Sequence, residues 1–161
     1  MFDITIGKNL DSNKIDKYRG NTAYVTRKEV NNGVDGFTSG HDLKYLWDDV
    51  PVITIGNETA KPFVQIYPFY TGTKVNILSP KKSIGKETLS FIAMSLENNK
   101  ERYSYSYTAN STRLLEQRLL LPIDKNGEPN WLYMENFIKH IEQKKLKEVV
   151  EYLRKYIYIY I

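Results

Sequence analysis

Cysteine is absent from the 161 residues, which excludes disulfides and thiolate metal sites. Histidine is scarce. The only two, His41 and His140, are far apart in sequence, one in a loop and one in a helical pattern, and they read as surface residues rather than as a metal pair or a catalytic dyad. No apolar run approaches the ~20 residues that span a bilayer. The opening Met1-Phe2-Asp3-Ile4 shows no basic segment leading into an apolar stretch, so no signal peptide is visible. Phosphate loops are missing too: Gly33-Val34-Asp35-Gly36 has neither the Gly/Lys/Ser pattern of a P-loop nor the spacing of a dinucleotide fingerprint. The short motifs of a methyltransferase are also missing. A cytoplasmic protein without membrane contact, metal or cofactor is the expectation.

What is present fits a soluble globular chain. Hydrophobic residues make up 41% and charged residues 26%, which argues against disorder. The length allows one domain with a real core, or one domain with an appended element. The net charge of +4 is unevenly spread. Residues 1–60 carry 7 Lys/Arg against 9 Asp/Glu, whereas residues 61–113 carry 8 against 3. That middle excess fits either a basic face for a polyanion or an ordinary solvated surface. Tyrosine is abundant at 13 residues. It suits interfaces and phosphate contacts as well as strands.

Short strands come first. Phe2–Ile6 alternates apolar and polar residues and stops at Gly7-Lys8; Ala23–Thr26, Val50–Ile55, Phe63–Tyr67 and Lys74–Leu78 follow. Asn31–Gly36 is dense in residues that tolerate unusual backbone angles and reads as a loop or tight hairpin. Leu89, Ile92, Ala93 and Leu96 recur at helical spacing, predicting a helix over 86–98. Asn110 or Ser111 is placed to cap a shorter helix through Gln117. Arg118–Ile123 reads as strand-like and ends at a turn over 124–129. From Trp131 to about Tyr156 the pattern is helical, with Met134, Ile138, Ile141, Leu146, Val149, Leu153 and Tyr156 near a heptad seam that slips around Lys145. Such a helix is about 39 Å long, more than the preceding domain covers. It either packs on a partner through Met134, Ile138, Ile141, Val149 and Leu153 or folds back across its own domain. The tail Tyr156–Ile161 alternates strictly, a strand signature that needs covering.

Two kinds of chemistry are worth weighing. Magnesium-dependent nucleases place an acid on one strand and an acid with a lysine on the next, and Asp48, Asp49, Glu58 and Lys61 stand in roughly that order. The spacing between Glu58 and Lys61 puts them on opposite faces of a regular strand, and Thr59–Pro62 looks like loop. Nucleic-acid signals are diffuse but accumulate. Arg102–Thr108 alternates tyrosine with hydroxyl residues beside an arginine; as a strand it would present tyrosine on one face and Ser/Thr on the other, residue types that contact phosphate, sugar and base. Arg27, Asn31 and Asn32 sit at a strand-to-loop junction, and Arg and Asn pair bidentately with guanine and adenine edges. Singly, each of these also fits a structural turn or sheet face.

The order of motifs says more than any one of them. Phe2-Asp3-Ile4-Thr5-Ile6-Gly7-Lys8 is followed by Gly20–Thr26, Asn31–Phe37, Val52–Gly56, Phe63–Tyr70, Tyr103-Ser104-Tyr105, Leu121-Pro122-Ile123, and Gly127–Trp131 with Met134-Glu135. Across nearly its whole length the chain resembles the target recognition domains of type I and BcgI-like restriction specificity subunits. It departs from that pattern at Asn130, where an acidic residue is usual, and at 57–60, where a glycine is usual.

The resemblance implies an α+β fold: a twisted, mainly antiparallel sheet with short helices, followed by one long C-terminal spacer helix. Residues 1–130 would be the DNA-binding domain and 131–161 the helix and tail. It implies a non-catalytic, sequence-specific reader of double-stranded DNA that positions a separate methyltransferase subunit, with a restriction subunit a further partner. The DNA-binding residues expected are Arg27, Asn31, Asn32, Lys74, Lys81, Lys82, Arg102, Tyr103, Tyr105 and Arg113. Full specificity subunits carry two recognition domains and two spacer helices, so this chain resembles a half-subunit or a fragment, pairing as a homodimer through its helix. A nuclease and a helix-mediated protein adaptor are the alternatives.

Overall fold

The computed structural model describes residues 1–157. In chain order these form β1 (Phe2–Ile6), β2 (Thr22–Val25), β3 (Val34–Thr38), β4 (Leu46–Trp47), β5 (Val52–Gly56), β6 (Pro62–Gln65), β7 (Phe69–Thr71), β8 (Val75–Pro80), α1 (Lys86–Glu97), α2 (Ser111–Glu116) and α3 (Trp131–Ile157). The fold is α+β as expected, but the strands divide into two four-stranded sheets rather than one. The first, in the order β1-β8-β5-β6, is antiparallel throughout. The second, in the order β3-β2-β7-β4, contains one parallel pair, β2 with β7.

The residues of β5 show why the sheets stack. Val52–Gly56 is buried at every position, so the strand lacks an apolar-polar alternation and is covered on both faces. Ile53 and Ile55 face a cluster with Leu89, Ile92 and Leu96 of α1, Leu114 of α2 and Met134 of α3. Val52 faces the other way and packs with Val75 and Ile77 of β8 against Val25 and Phe69 of the second sheet. The layers therefore run helices, first sheet, second sheet. Thr54 is also buried, and its hydroxyl is satisfied by donating to the Phe63 carbonyl and accepting from Gln65 Nε2 at 3.1 Å. Beyond the second sheet, Leu10, Tyr24 and Tyr70 form a smaller cluster, in which the Tyr24 hydroxyl donates to the Leu10 carbonyl at 2.7 Å.

The helices follow their sequence patterns. In α1 the four residues at helical spacing, Leu89, Ile92, Ala93 and Leu96, are all buried. Asn110 caps α2, its side chain accepting from the Arg113 N–H at 3.0 Å. Asn130 accepts from the Tyr133 N–H at the start of α3. The first turns of α3 belong to the domain: Met134 is fully buried and Ile138 nearly so. From Glu142 to Ile157 every residue is exposed, and this stretch projects about 24 Å. Among the described residues no helix is long and apolar enough to cross a membrane.

Four local expectations change. The tyrosine-hydroxyl run over 102–108 is not a strand but a tight turn, closed by a bridge between Ser104 and Tyr107. Residues 118–123 run without regular structure apart from a single bridge between Ile123 and Pro129. Asn31–Gly33 forms one helical turn, with Asn31 and Asn32 in the left-handed region at φ 54° and 56°, and β3 begins directly after it. In the C-terminal tail, Tyr156 and Ile157 are still helical rather than strand; the rest of the alternating tail, 158–161, lies outside the described residues.

Candidate nucleic-acid interface

The ends of β1, β2, β5 and β7 and the start of β8 meet at one end of the stacked sheets. The strand β5 terminates at Gly56 opposite Val75, where β8 begins. The parallel strands β2 and β7 stop side by side at Val25 and Thr71. Just past β1, Gly7 donates to the Val75 carbonyl at 2.8 Å. The segments that leave these ends carry Lys8, Arg27, Lys28, the turn 57–61 and Lys74. The approach is close. A Cβ on Gly56 would lie 2.8 Å from the Arg27 Cα, so glycine is what allows the two segments to pack.

Asn57 joins this end to the segment that carries Arg113. Its N–H donates to the Lys74 carbonyl at 3.0 Å, and its carbonyl accepts from the Ala109 N–H at 2.8 Å. Its side-chain oxygen accepts from Asn76 Nδ2 at 2.6 Å, and the same nitrogen reaches the Ala109 carbonyl at 2.9 Å. Asn76 is fully buried, so its amide serves the architecture. Lys100 pairs with Glu29 at 2.6 Å and Lys61 with Glu97, tying the same segment to the loop after β2 and to the turn.

The expected DNA-binding residues separate into groups. Arg27 and Lys74 come together on Glu58: Arg27 Nη1 lies 2.7 Å and Lys74 Nζ 3.2 Å from the same carboxylate oxygen. Burial works to raise the Glu58 carboxyl, but hydrogen bonds from Arg27 and Lys74 outweigh it and hold it below the usual glutamate value. Arg102, Tyr103 and Arg113 line a shallow cleft of about 220 Å³ with Tyr107, Glu116 and Gln117. There the Arg113 guanidinium sits 3.8 Å over the Tyr107 ring and donates to the Thr108 carbonyl at 2.8 Å. Tyr103 stacks on Tyr107 and donates to Gln117 Oε1 at 2.8 Å. Tyr105, at the tip of the turn, is 89% exposed.

Three residues are placed differently. The Asn32 side-chain nitrogen donates to the Val64 carbonyl and to Gln65 Oε1, while the Asn32 backbone carbonyl accepts from Gln65 Nε2 at 2.9 Å. It anchors its loop to β6, which engages the amide N–H groups that an adenine contact needs, whereas Asn31 beside it keeps its exposed side chain unengaged in that anchor. Lys81 and Lys82 follow the far end of β8, about 20 Å from Lys74, where Lys81 pairs with Asp3.

Residues 1–152 match the type I restriction modification DNA specificity domain. The chain belongs to that family. It is 48% identical over 141 residues to the type II restriction enzyme BgcI specificity subunit S.BcgI of Heyndrickxia coagulans. The alignment covers 88% of this chain and 41% of that relative, so the chain spans about two-fifths of the length of the curated relative it matches. Two solved structures share the fold. One comes from work on the complex assembly of a type I R-M system, with a TM-score of 0.62 and 13% identity, over 96% of this chain and 38% of the other. The second is the S subunit of a type I restriction-modification system from M. genitalium, with a TM-score of 0.61 and 16% identity, over 96% and 40%.

Family membership and geometry agree in disfavouring the nuclease reading. Glu58 is committed to Arg27 and Lys74, and Lys61 to Glu97, so the acid and lysine do not converge. Among the described residues no group of three or more His, Asp or Glu is placed to hold a metal ion. His41 contacts Thr38 Oγ1 at 2.7 Å and packs edge-on against Tyr70, a structural position. The sequence reading missed Lys17, Lys28 and Asp35. Asp35 accepts from Lys17 at 2.8 Å and pairs with Lys28. These residues lie on separate segments, and no local pattern announces their meeting.

Proposed function

We propose that this chain is the DNA-reading part of a restriction–modification system. It holds duplex DNA against the loop end that bears Arg27, Lys74 and Arg113, and through α3 it positions a separate methyltransferase subunit, with a restriction subunit joining the same assembly in the cytoplasm. The match of residues 1–152 to a DNA specificity domain carries the proposal. The meeting of cationic loops at one end supports it, because phosphate contacts fix register while base contacts carry sequence. The chain itself does no bond-breaking chemistry in this account.

The exposed half of α3 is the assembly element. Leu146, Val149, Val150, Leu153, Tyr156 and Ile157 are all between 44% and 64% exposed. They recur at steps of three and four residues, the spacing of a helix that packs along another helix. A second copy, pairing α3 with α3, would cover this stripe and bring two reading domains to two half-sites.

Titration of duplex DNA at low and moderate salt tests the DNA assignment. Four or more phosphate contacts weaken binding on the order of a hundredfold when salt rises fourfold. Binding that ignores salt contradicts the electrostatic part of the proposal.

A further inference from the structure

We propose that Lys17, Arg27, Lys28 and Lys74 form a phosphate grip for duplex DNA, in which Asp35 and Glu58 are positioning residues that each hold two of the four cations. The inference rests on the DNA-reading assignment above and specifies which side chains touch the backbone and which ones aim them.

The two units are built alike. Arg27 and Lys28 are consecutive beyond β2, yet they reach different carboxylates. Arg27 shares Glu58 with Lys74, from the turn between β7 and β8. Lys28 shares Asp35, on β3, with Lys17, from the segment before β2. Five separate stretches of chain are thereby drawn to one place. The carboxylates lie beneath the cations: the side chains of Asp35 and Glu58 are 16% and 20% exposed, whereas those of Lys17, Arg27, Lys28 and Lys74 are 29%, 38%, 48% and 60% exposed. An ammonium has three N–H groups and a guanidinium five, so each cation keeps donors for the solvent side after binding its carboxylate.

A stabilising role alone accounts poorly for this pattern. A largely buried carboxylate needs a cation beside it, but one cation suffices to neutralise one carboxylate. Here each carboxylate carries two, which leaves one positive charge per unit facing outward. Counting Asp11 at the rim, the excess falls to one. Net charge therefore explains little, and the fixed placement of the cations has to supply the grip. The surroundings suit a phosphate. Two clefts meet at Thr26 and Arg27, one of about 220 Å³ edged by Asn9, Ser12 and Thr73 and one of about 360 Å³ edged by Lys28 and Thr59. Hydroxyl and amide side chains are regular phosphate partners. Hydrogen bonds from Lys17 and Lys28 overcome the effect of burial and hold the Asp35 carboxyl below its usual value, so both units are fully charged near neutral pH.

The test is fluorescence anisotropy of the whole chain with a short mixed-sequence duplex across a range of KCl, read as the slope of log affinity against log salt. Lys17→Gln and Lys28→Gln should each flatten the slope by about 0.9 and leave the thermal midpoint in place. Asp35→Asn and Glu58→Gln should weaken binding and flatten the slope, although each removes a negative charge. Tighter binding at an unchanged slope in these two would mean that the carboxylates only dampen charge, and the positioning role falls. If either carboxylate variant fails to fold, the lysine variants still decide. Unchanged slopes in both, with the wild type still salt-dependent, overturn the grip and leave the DNA-reading assignment standing. A wild type that shows no salt-dependent binding removes that assignment and the grip with it.

Discussion

Met134→Ala is expected to lower the stability of the domain by about 2–5 kcal/mol, the usual cost of emptying a fully buried large side chain. Met134 has no exposed surface and packs in the cluster of Ile53, Leu89, Ile92 and Leu114, between the first sheet and the helices. Four residues further along the same face, Ile138 is 6% exposed. Both side chains belong to the chain's own core and are unavailable to a partner, which corrects the expectation that placed them in an interface. Chemical denaturation of the variant beside the wild type measures the loss. A change within 0.5 kcal/mol would mean that the first turns of α3 are not anchored as described.

Replacing Val149 and Leu153 together by Asp should have the opposite signature: unchanged domain stability and an association constant reduced by more than about a hundredfold. Each side chain contributes about 1.5–3 kcal/mol when it passes from water into a packed interface, and a charge placed there costs more still. Both residues are about half exposed, at 53% and 49%, on the stretch that projects clear of the domain. Sedimentation of the intact chain, alone and with a methyltransferase subunit, reads the effect. Ile141, half-buried where the helix leaves the domain, should respond in both assays when changed to Asp.

Periodicity carries only part of this division. One apolar stripe runs from Met134 to Tyr156, and its spacing correctly places a long helix. The spacing identifies a face without saying what covers it. The slip near Lys145 was the available hint. It falls just beyond Ile141, where the stripe passes from the domain's own core to open solvent, so the two halves need not share one phase.

Elsewhere, legibility followed the strength of local pattern. The clean alternation of β1 predicts it to the residue, and four apolar positions predict α1. By contrast β3 carries Asp35 and Gly36, β4 has two residues and β7 three. Asp35 and Gly36 break the pattern of β3 and the other two are too short to show a period, so the second sheet stays hidden and the sequence points to one sheet. Alternation misled over 102–108, where Tyr103 and Tyr107 stack across a turn instead of lining one face of a strand.

The candidate site divides the same way. Residue type alone marked Arg27, Lys74 and Arg113, and the fold brings their segments to one end. Composition equally marked Lys81 and Lys82, which β8 carries to the other. Glu58 drew attention as a possible metal ligand, because sequence shows a carboxylate but not the two cations that share it. The pairing of Lys17 and Lys28 with Asp35 depends on strand register, which no spacing in the chain encodes.

The most direct test of the account is selection from a duplex DNA pool with a randomised core, carried out with the intact chain and with Arg27→Ala. A sequence reader should enrich one short motif. The Arg27→Ala protein should bind more weakly yet enrich the same motif, because a phosphate contact carries no sequence information. A pool that emerges without enrichment, bound equally well whatever its sequence, would contradict the claim that this domain reads DNA.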